Sequence, residues 1–340
     1  MASLPLTHSL PALSLTAVRQ LLLSRRLTSV DLLSFCHNRA KLGEAPPYSL
    51  NAFTHLPSFE SLLPQAVAAD CRYDKQHRYG SHHRYDNQHE IGFPLSGIDG
   101  IPISLKANIS WKGVVTDCSS SILKGYTPPF DSDVALRIIK GGGIIIGQVN
   151  MDEFGMGSAC GNGVHGLTFN SRVYNPLAAI NPLDEMDARS ADIISVLPRL
   201  SPGGSSGGSA SSVAFRSSFA SIGTDTGGSI RLPAAWSGLT GFKPTYGRVS
   251  RHGVVAYASS LDTVGVIAQS PLDCGIVMDV ISGHSEKDMS SIRNAGNAGN
   301  EGTNCDNNKQ STPNPSNKHA TTNAPLTGLT VGLPSGKKCC

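Results

Sequence analysis

Two short apolar segments separated by a helical one constrain the fold of this 340-residue chain most. Residues 97–106 begin as a turn and continue as a strand pattern that ends on Lys106. Residues 134–140 repeat at helical intervals, and residues 143–149 have the continuous apolar pattern of a buried strand. Strand, helix and strand in this order predict an α/β sheet with crossover connections, because parallel strands need a long connection between them.

Composition excludes several classes of protein. Charged residues make up only 16% of the chain and hydrophobic residues 39%, which argues against a disordered chain or a coiled coil. The formal net charge of +3 is too small for a dedicated nucleic-acid binder, so we expect a partner to hold any nucleic acid. No apolar run reaches the ~18 residues of a membrane span, so no membrane partner is expected.

The eight cysteines include no Cys-x-x-Cys pair, and all of them except the adjacent Cys339 and Cys340 are widely spaced. This spacing argues against a zinc site and against a disulfide framework, and it favours a reducing compartment. The N-terminal residues 1–30 contain no acidic residue but carry Arg19, Arg25 and Arg26 among many serines and leucines. That composition is typical of a mitochondrial transit peptide, so we expect import into the matrix. The alternative is an ordinary amphipathic helix that continues past Asp31.

The composition along the chain divides it into five regions. These are an N-terminal helical region at 1–69, a His/Tyr-rich insertion at 70–90, the core at 91–283, a low-complexity disordered linker at 284–325, and the start of a C-terminal part at 326–340. The insertion repeats one motif crudely after twelve positions, and a solvated segment without chemistry is its simplest interpretation. The linker has too few large apolar residues to offset its ordering entropy, whereas 328–333 has a strand pattern. Within the core, residues 177–200 are predicted to lie on the surface.

The segment from 201 to 260 contains two turns rich in glycine and serine, at 202–210 and 223–233. A flexible linker does not explain the second turn, and a phosphate-binding loop would need a lysine before Ser209. A hydrolase elbow centred on Ser206 would need a preceding apolar strand, but two prolines occupy that place. What remains is a two-loop site.

In such a site, Gly227 and Gly228 let backbone N–H groups converge on a developing oxyanion, and Ser229 would be the nucleophile. A serine needs a base to take its proton. His252 is the nearest downstream histidine, but it lies in a different motif. The base therefore need not be a histidine.

Several further motifs carry a resemblance to a known family. Residues 150–158, 241–251 and 256–262, together with the two glycine-rich turns, resemble the amidase signature family, and the similarity covers most of residues 97–283. This resemblance implies a mixed central β-sheet flanked by helices on both faces. It also implies serine amidase chemistry that needs no metal.

The resemblance implies a Ser-Ser-Lys triad in which Lys106 is the base, Ser205 the bridging serine and Ser229 the nucleophile that forms the acyl-enzyme. The separation 229 − 205 = 24 is the one this family uses, and it alone selects Ser205 over Ser206. Lys106 must be uncharged to accept a proton, and burial can lower its pKa from ~10.4 toward the working pH.

The resemblance also gives expectations for the residues around the triad. Backbone N–H groups of Thr226, Gly227, Gly228 and Ser229 would hold the oxyanion. Asp225 and Arg231 flank the second turn and are predicted to brace it rather than to touch the scissile bond. Met156, Gly157 and Ser158 are predicted to line the substrate pocket, with core packing as the alternative for Met156. Cys160 has no base beside it in sequence and is predicted to be an inert thiol.

Within this family, the chain is most similar to the branch whose members are the A-type subunits of tRNA-dependent amidotransferases, in the mitochondrial form. This branch implies hydrolysis of glutamine, with the ammonia passed on to convert Glu-tRNA(Gln) into Gln-tRNA(Gln). The implied partners are the B-type and C-type subunits, which would hold the tRNA. ATP and Mg²⁺ would be used by the assembled complex, with no cofactor in this chain. The alternatives are a stand-alone hydrolase of small amides and a catalytically silent, truncated subunit that serves assembly.

Two departures from the family pattern bear on these expectations. The family usually has an acidic residue directly after the catalytic lysine, whereas this chain has Ala107, so the bracing of Lys106 needs another source. The relatives also continue well past the position of Cys340, and the missing part supplies further strands and groups that bind glutamine. A truncated product is therefore one expectation from the sequence.

Overall fold

A six-stranded mixed sheet forms the centre of the structure. The computed structural model describes Leu10 and residues 13–79, 85–86, 89–90, 94–174 and 196–293. Its strands follow one another across the sheet in the order 53–55, 144–149, 102–106, 220–225, 263–268 and 240–242. The strand 102–106 is parallel to both of its neighbours, and all other neighbouring strands are antiparallel. The sheet carries helices on both faces, so the predicted α/β class is confirmed. Within the described residues, no helix combines the length and apolar character that a membrane span needs.

The described elements follow the chain in this order. The helices are α1 Leu15–Leu23, α2 Ser29–Glu44, α3 Phe59–Tyr79, α4 Asp133–Lys140, α5 Gly207–Ala214, α6 Arg231–Trp236 and α7 Pro271–Ile281. The strands are β1 Phe53–His55, β2 Tyr85–Asp86, β3 His89–Glu90, β4 Pro102–Lys106, β5 Ile144–Val149, β6 Ala220–Asp225, β7 Thr240–Phe242 and β8 Thr263–Ala268. Short 3-10 turns occur at Glu153–Gly155 and Ser171–Tyr174, and β2 pairs with β3 in a separate hairpin.

The predicted strand, helix and strand between residues 97 and 149 are confirmed as β4, α4 and β5. Every residue of β4 and β5 is buried, and burial on both faces explains the continuous apolar pattern of residues 143–149. Ser132 caps the start of helix α4, where its hydroxyl accepts the N–H of Ala135, and Gly141 caps the other end. The helical connection lets β5 return parallel to β4.

Residues 15–44 form two helices where the apolar periodicity predicted one. Thr28 caps the start of helix α2: its side chain accepts the N–H of Asp31, while the Asp31 carboxylate accepts the N–H of Thr28. This reciprocal pair satisfies donors at a new helix start, so the helix does not run on from α1 past Asp31. Leu15, Val18 and Leu22 of α1 are completely buried.

The structure places the beginning of the insertion later than residue 70, because α3 continues to Tyr79. Tyr73 is buried, and its hydroxyl donates to the carbonyl of Asp99 at 3.0 Å. Arg72 makes two hydrogen bonds with the buried Asp99 carboxylate, and Asp70 pairs with Arg25. Residues 70–77 are therefore part of the body of the protein. Side chains at 78–93 lie outside the described residues.

The first residues of the predicted disordered linker are also attached to the body. Asp288 accepts the N–H of Arg251 at 2.7 Å, and the N–H of Ile292 donates to the Gly247 carbonyl at 2.9 Å. The linker interpretation is therefore wrong for 284–293, where hydrogen bonds to the body compensate for the few apolar residues. Residues 294–340, with the predicted strand at 328–333, lie outside the described residues, as does most of 177–200.

The carboxyl ends of three parallel strands bring the chemistry-bearing residues together. Lys106 ends β4, Asp225 ends β6, and residues 150–152 follow β5. Neighbouring parallel strands end at the same edge of a sheet, which is where open α/β sheets bind ligands. The chain enters α5 directly after Ser205 and Ser206.

Candidate functional site

Lys106 is buried completely at the end of β4. Its Nζ lies 2.7 Å from Ser205 Oγ and 2.9 Å from Thr224 Oγ1. The Thr224 carbonyl oxygen lies 3.4 Å from the same nitrogen. The structure therefore brings together Lys106 and Ser205, which are 99 positions apart in the sequence.

The surroundings of Lys106 favour its uncharged form. Burial lowers the pKa of its ammonium from 10.5 to about 8. The acidic groups of Cys160, Asp152, Asp225 and Cys118 act in the opposite direction but do not cancel the burial. A lysine with this pKa is partly uncharged at mildly alkaline pH, as a general base must be.

The two neighbouring serines at the start of α5 have different environments. Ser205 Oγ contacts Lys106, whereas Ser206 Oγ donates to the Thr224 carbonyl at 3.2 Å. The peptide bond between Gly204 and Ser205 is cis. The contact with Lys106 agrees with the choice of Ser205 over Ser206 that the sequence made on spacing alone.

Ser229 lies on the second glycine-rich turn, next to the first. Its carbonyl accepts the N–H of Ser206 at 3.1 Å, so its backbone lies against the residue that follows Ser205. Its side chain is half-buried, and the structure records no hydrogen-bond partner for it among the described residues. A proton route from Ser229 to Lys106 thus contains one formed contact, and the step between Ser229 and Ser205 stays a prediction.

The carboxylate of Asp225 organises the turn that carries Ser229. It accepts the N–H of Gly228 at 2.8 Å and that of Ile230 at 3.2 Å, and it takes two side-chain hydrogen bonds of 3.0 Å from Arg231. Burial alone would raise the pKa of Asp225, but these donors outweigh it and lower the pKa. The contacts agree with the bracing role expected for Asp225 and Arg231.

The same contacts narrow the choice of oxyanion donors. The N–H of Gly228 already donates to Asp225, whereas within the described part no acceptor is recorded for the N–H groups of Thr226, Gly227 and Ser229. Gly227 is exposed, and a methyl group in place of its hydrogen would meet nothing within 4 Å. Among the described residues, three of the four expected donors therefore have no recorded acceptor.

Two carboxylates at the site received no role from the sequence. Asp262 accepts a 2.5 Å hydrogen bond from Thr226 Oγ1 and also accepts the N–H of Tyr257 at 2.8 Å. It ties the loop before β8 to the nucleophile turn. Asp262 stood in a recognised motif, but nothing in the spacing showed which loop it would contact.

Asp152 is the second such carboxylate. It accepts the N–H groups of Cys160 and Gly161, both at 2.9 Å, and its own N–H donates to the Ser205 carbonyl at 3.2 Å. Asp152 therefore orders the loop beside the bridging serine. A single aspartate after a strand is too common a signal to have predicted this.

The predicted pocket residues lie on that loop. Met156, Gly157 and Ser158 are exposed, and Met156 at 47% exposure is not core packing. The backbone of Ser158 lies against Gly204, because a Cβ on that glycine would come 2.8 Å from the Ser158 carbonyl carbon. Their role in binding substrate stays a prediction. Cys160 is buried, and burial raises the pKa of its thiol to about 11, which fits an unreactive thiol.

Comparison with known proteins decides the family. The sequence profile of the Amidase family matches residues 65–177 and 195–317, which is more than half of the chain. The chain belongs to the amidase family. It is 39% identical over 279 residues to the A-type subunit of glutamyl-tRNA(Gln) amidotransferase from Chloroflexus aggregans, covering 82% of this chain and 48% of that one. The corresponding protein from Methanococcoides burtonii is 44% identical over 203 residues, or 60% of this chain and 37% of that one.

Solved structures of the amidase family show the same fold. The crystal structure of the A-type subunit of glutamyl-tRNA(Gln) amidotransferase from Thermotoga maritima matches with a TM-score of 0.59 and 29% identity, covering 84% of this chain and 50% of that one. The native peptide amidase from Stenotrophomonas maltophilia matches with a TM-score of 0.63 and 27% identity, covering 82% and 49%. The matched region covers 82% of this amidase-family chain. The chain spans about half the length of the curated relatives it matches.

The unusual Ala107 of this amidase-family chain has a purely backbone role. Its N–H donates to the Val149 carbonyl at 3.1 Å, and its carbonyl accepts the N–H of Cys118 at 3.2 Å. The side chain is buried and apolar. The bracing of Lys106 therefore comes from Ser205 and Thr224.

Replacing Asp225 by asparagine should destabilise the nucleophile turn. An amide oxygen replaces only part of the acceptor capacity, so buried N–H donors lose their partner and Arg231 loses its counter-charge. We expect the free energy of unfolding to fall by about 1–3 kcal/mol in urea titrations. Asp279→Asn, at an exposed position on α7, is the control and should change it by less than about 0.5 kcal/mol. Equal losses in both variants would contradict the bracing role.

Alanine substitutions at Gly228 and Gly227 test the backbone conformation of the nucleophile turn. Gly228 has φ of +131°, which side-chain-bearing residues rarely adopt, and a Cβ there would clash with nothing. Gly228→Ala should lower the free energy of unfolding by about 1–3 kcal/mol through torsional strain alone. Gly227→Ala faces open space without a positive φ and should leave stability within about 0.5 kcal/mol of wild type. Thermal unfolding measures both, and the reverse order would show that the turn has another conformation.

Proposed function

We propose that this chain is an amidase subunit that hydrolyses glutamine through an acyl-enzyme on Ser229. The observation that carries the proposal is the 2.7 Å contact between the buried Lys106 and Ser205, beside the glycine turn of Ser229. The relatives named as amidotransferase subunits support the choice of glutamine. The ammonia would serve the conversion of Glu-tRNA(Gln) into Gln-tRNA(Gln).

The chemistry begins with two linked proton transfers. Ser205 passes its proton to the uncharged Lys106 and takes the proton of Ser229, whose oxygen attacks the carboxamide carbon. The negative charge that develops on the carbonyl oxygen is held by the free N–H groups of the nucleophile turn, and each such donor is typically worth ~3 kcal/mol. A linear proton path needs Ser229 to rotate its hydroxyl toward Ser205.

The acyl-enzyme then forms and breaks. The carbon–nitrogen bond cleaves as the proton returns from Lys106 through Ser205 to the leaving amine, which departs as ammonia. A water molecule gives its proton to the same relay and attacks the ester on Ser229. Glutamate leaves, and the Ser229 hydroxyl is regenerated.

The assembled complex supplies what this chain does not carry. We propose B-type and C-type subunits as partners, with Glu-tRNA(Gln) held mainly by a partner and with ATP and Mg²⁺ used by the complex. The net charge of +3 supports this division of labour. No cofactor is proposed for this chain.

Mitochondrial import remains a proposal from the composition of residues 1–30. Leu15, Val18 and Leu22 of that segment are buried against the rest of the protein, and Arg25 pairs with Asp70. The alternative of an ordinary helix therefore accounts for 15–23. Import is tested by whether a fusion of residues 1–30 to a reporter enters the matrix.

Hydrolysis assays separate the proposed function from its alternatives. The purified chain, alone and with the B-type and C-type subunits, is given glutamine or a set of small amides, with Ser229→Ala as background. Glutamate release that increases with the subunits supports the proposal. Turnover of small amides without glutamine indicates a stand-alone hydrolase, for which the match to a peptide amidase is the specific support. No release above background, even with the subunits, leaves only the assembly role.

A further inference from the structure

Thr224 has an unusual relation to the proposed base. Both of its oxygens face Lys106 Nζ, with Oγ1 at 2.9 Å and the carbonyl oxygen at 3.4 Å. The Nδ2 of Asn108 donates to the same Oγ1 at 3.1 Å. Thr224 and Asn108 are both buried, so water does not compete for these contacts.

The number of acceptors around Lys106 matches its protonated state. An ammonium has three hydrogens, and Nζ has three oxygen neighbours: Ser205 Oγ and the two oxygens of Thr224. During attack, Lys106 receives a proton from Ser205 and becomes charged inside the protein. A buried charge is tolerated only when its hydrogen bonds are satisfied.

We propose that Thr224 is a positioning residue for the base, because its two oxygens hold two of the three hydrogens of the ammonium that forms when the proton arrives from Ser205. Asn108 holds the Thr224 hydroxyl oxygen in place. This inference rests on the proposed function. It also explains how Lys106 is braced when the next residue is Ala107.

Other groups near Lys106 do not take this role. The charges that face it belong to Asp152 and Asp225, and the ionisable thiols are Cys118 and Cys160. Asp225 is engaged by Arg231 and the nucleophile turn, and Asp152 by two backbone N–H groups. Among the described residues, neither carboxylate lies within hydrogen-bond distance of Nζ. They act on Lys106 only through space, whereas Thr224 touches it.

Two opposing effects make Thr224→Val a sharp test. Loss of the hydroxyl removes an acceptor from the ammonium, so the pKa of Lys106 should fall below its present value of about 8. More lysine is then uncharged at pH 7. If the amount of free base were all that mattered, activity at that pH would rise, whereas loss of positioning makes it fall.

The experiment compares Thr224→Val and Thr224→Ser with Thr116→Val. Thr116 is a buried threonine whose hydroxyl accepts from Gln148 and, within the described part of the chain, makes no hydrogen bond with Lys106, so it controls for loss of a buried hydroxyl. Glutamine hydrolysis is measured against pH for the chain with its partner subunits. We expect Thr224→Val to lower the kcat plateau by about ten- to a hundredfold and to shift the midpoint down by about one pH unit. KM should change little, Thr224→Ser should restore most of the activity, and Thr116→Val should not move the midpoint.

A second readout does not need turnover. The ¹³Cε resonance of Lys106, assigned by its disappearance in Lys106→Met, reports the lysine pKa directly. The titration midpoint of this resonance should lie at lower pH in Thr224→Val than in wild type, and it should be the same in Thr116→Val as in wild type. If wild type hydrolyses no amide, the proposed function fails and the resonance still decides this inference. An unshifted resonance, or wild-type kcat and midpoint in Thr224→Val of an active enzyme, overturns it.

Discussion

Replacing Ser229 by alanine is expected to reduce glutamate release by about 10⁴-fold or more. The hydroxyl of Ser229 is the atom that forms the acyl bond, and no neighbouring group replaces it. Removal of a nucleophile from a working triad leaves only the catalysis supplied by binding and by the oxyanion donors. The half-buried side chain makes no recorded hydrogen bond within the described structure, so its loss should not affect folding.

The measurement is glutamate release combined with covalent capture. A serine-reactive fluorophosphonate should label Ser229 of wild type, as located by mass spectrometry, and should not label the variant. Ser209→Ala is the matched control, because Ser209 lies on α5 near the site and its buried hydroxyl has no hydrogen-bond partner among the described residues. Label on another serine, or glutamate release that survives in Ser229→Ala, would place the nucleophile elsewhere.

Replacing Lys106 by methionine is expected to lower kcat by about 10³-fold. Methionine has nearly the length of the lysine side chain but no basic atom, so Ser205 has no group to receive its proton. General bases typically contribute 10²- to 10⁴-fold. In wild type, kcat/KM for glutamine should rise with pH through a midpoint near the Lys106 pKa of about 8, because only the uncharged amine accepts a proton. The residual activity of the variant should lack this rise.

Lys106→Met should also change how the free energy of unfolding depends on pH. The folded state holds Lys106 with a pKa of about 8 against 10.5 when unfolded, so the unfolded chain binds more protons between these values. The free energy of unfolding of wild type, relative to Lys106→Met, should therefore rise from pH 8 to pH 10.5 by roughly 3 kcal/mol. Below pH 8 the difference should be constant. If the difference in the free energy of unfolding between wild type and Lys106→Met did not change with pH, Lys106 would not be a buried, uncharged amine in the folded state. Lys140→Met, at the exposed end of α4, controls for the loss of a surface charge.

Local patterns predicted the elements that hold the site. The strand pattern of residues 97–106 identified β4, the continuous apolar run of residues 143–149 identified β5, and Lys106 was visible as the residue on which the first pattern ends. The second glycine-rich turn located Ser229, because close backbone approach needs glycine. These strand and turn patterns depend on residues within a few positions of one another, whereas the choice of Ser205 rested on the spacing that the resemblance implies.

Features that depend on distant partners were not visible in the sequence. The insertion was predicted to begin at residue 70, but a buried Tyr73 and the pair of Arg72 with Asp99 extend the body through 77. Residues 284–293 lacked apolar side chains, yet Asp288 attaches them to Arg251. Composition measures apolar content and does not show which hydrogen-bond partners the fold supplies.

The sequence by itself determined the α/β class, because short-range periodicity encodes it, and its motifs indicated the family, whose resemblance implied the three residues proposed for the triad. Only the tertiary structure decided that Ser205 rather than Ser206 contacts Lys106, that Asp225 occupies the N–H of Gly228, and that both oxygens of Thr224 surround the amine. The contacts of Lys106 with Ser205 and Thr224 join residues 99 and 118 positions apart in the sequence. Their distances follow from how the sheet aligns the ends of β4 and β6, which no local pattern records.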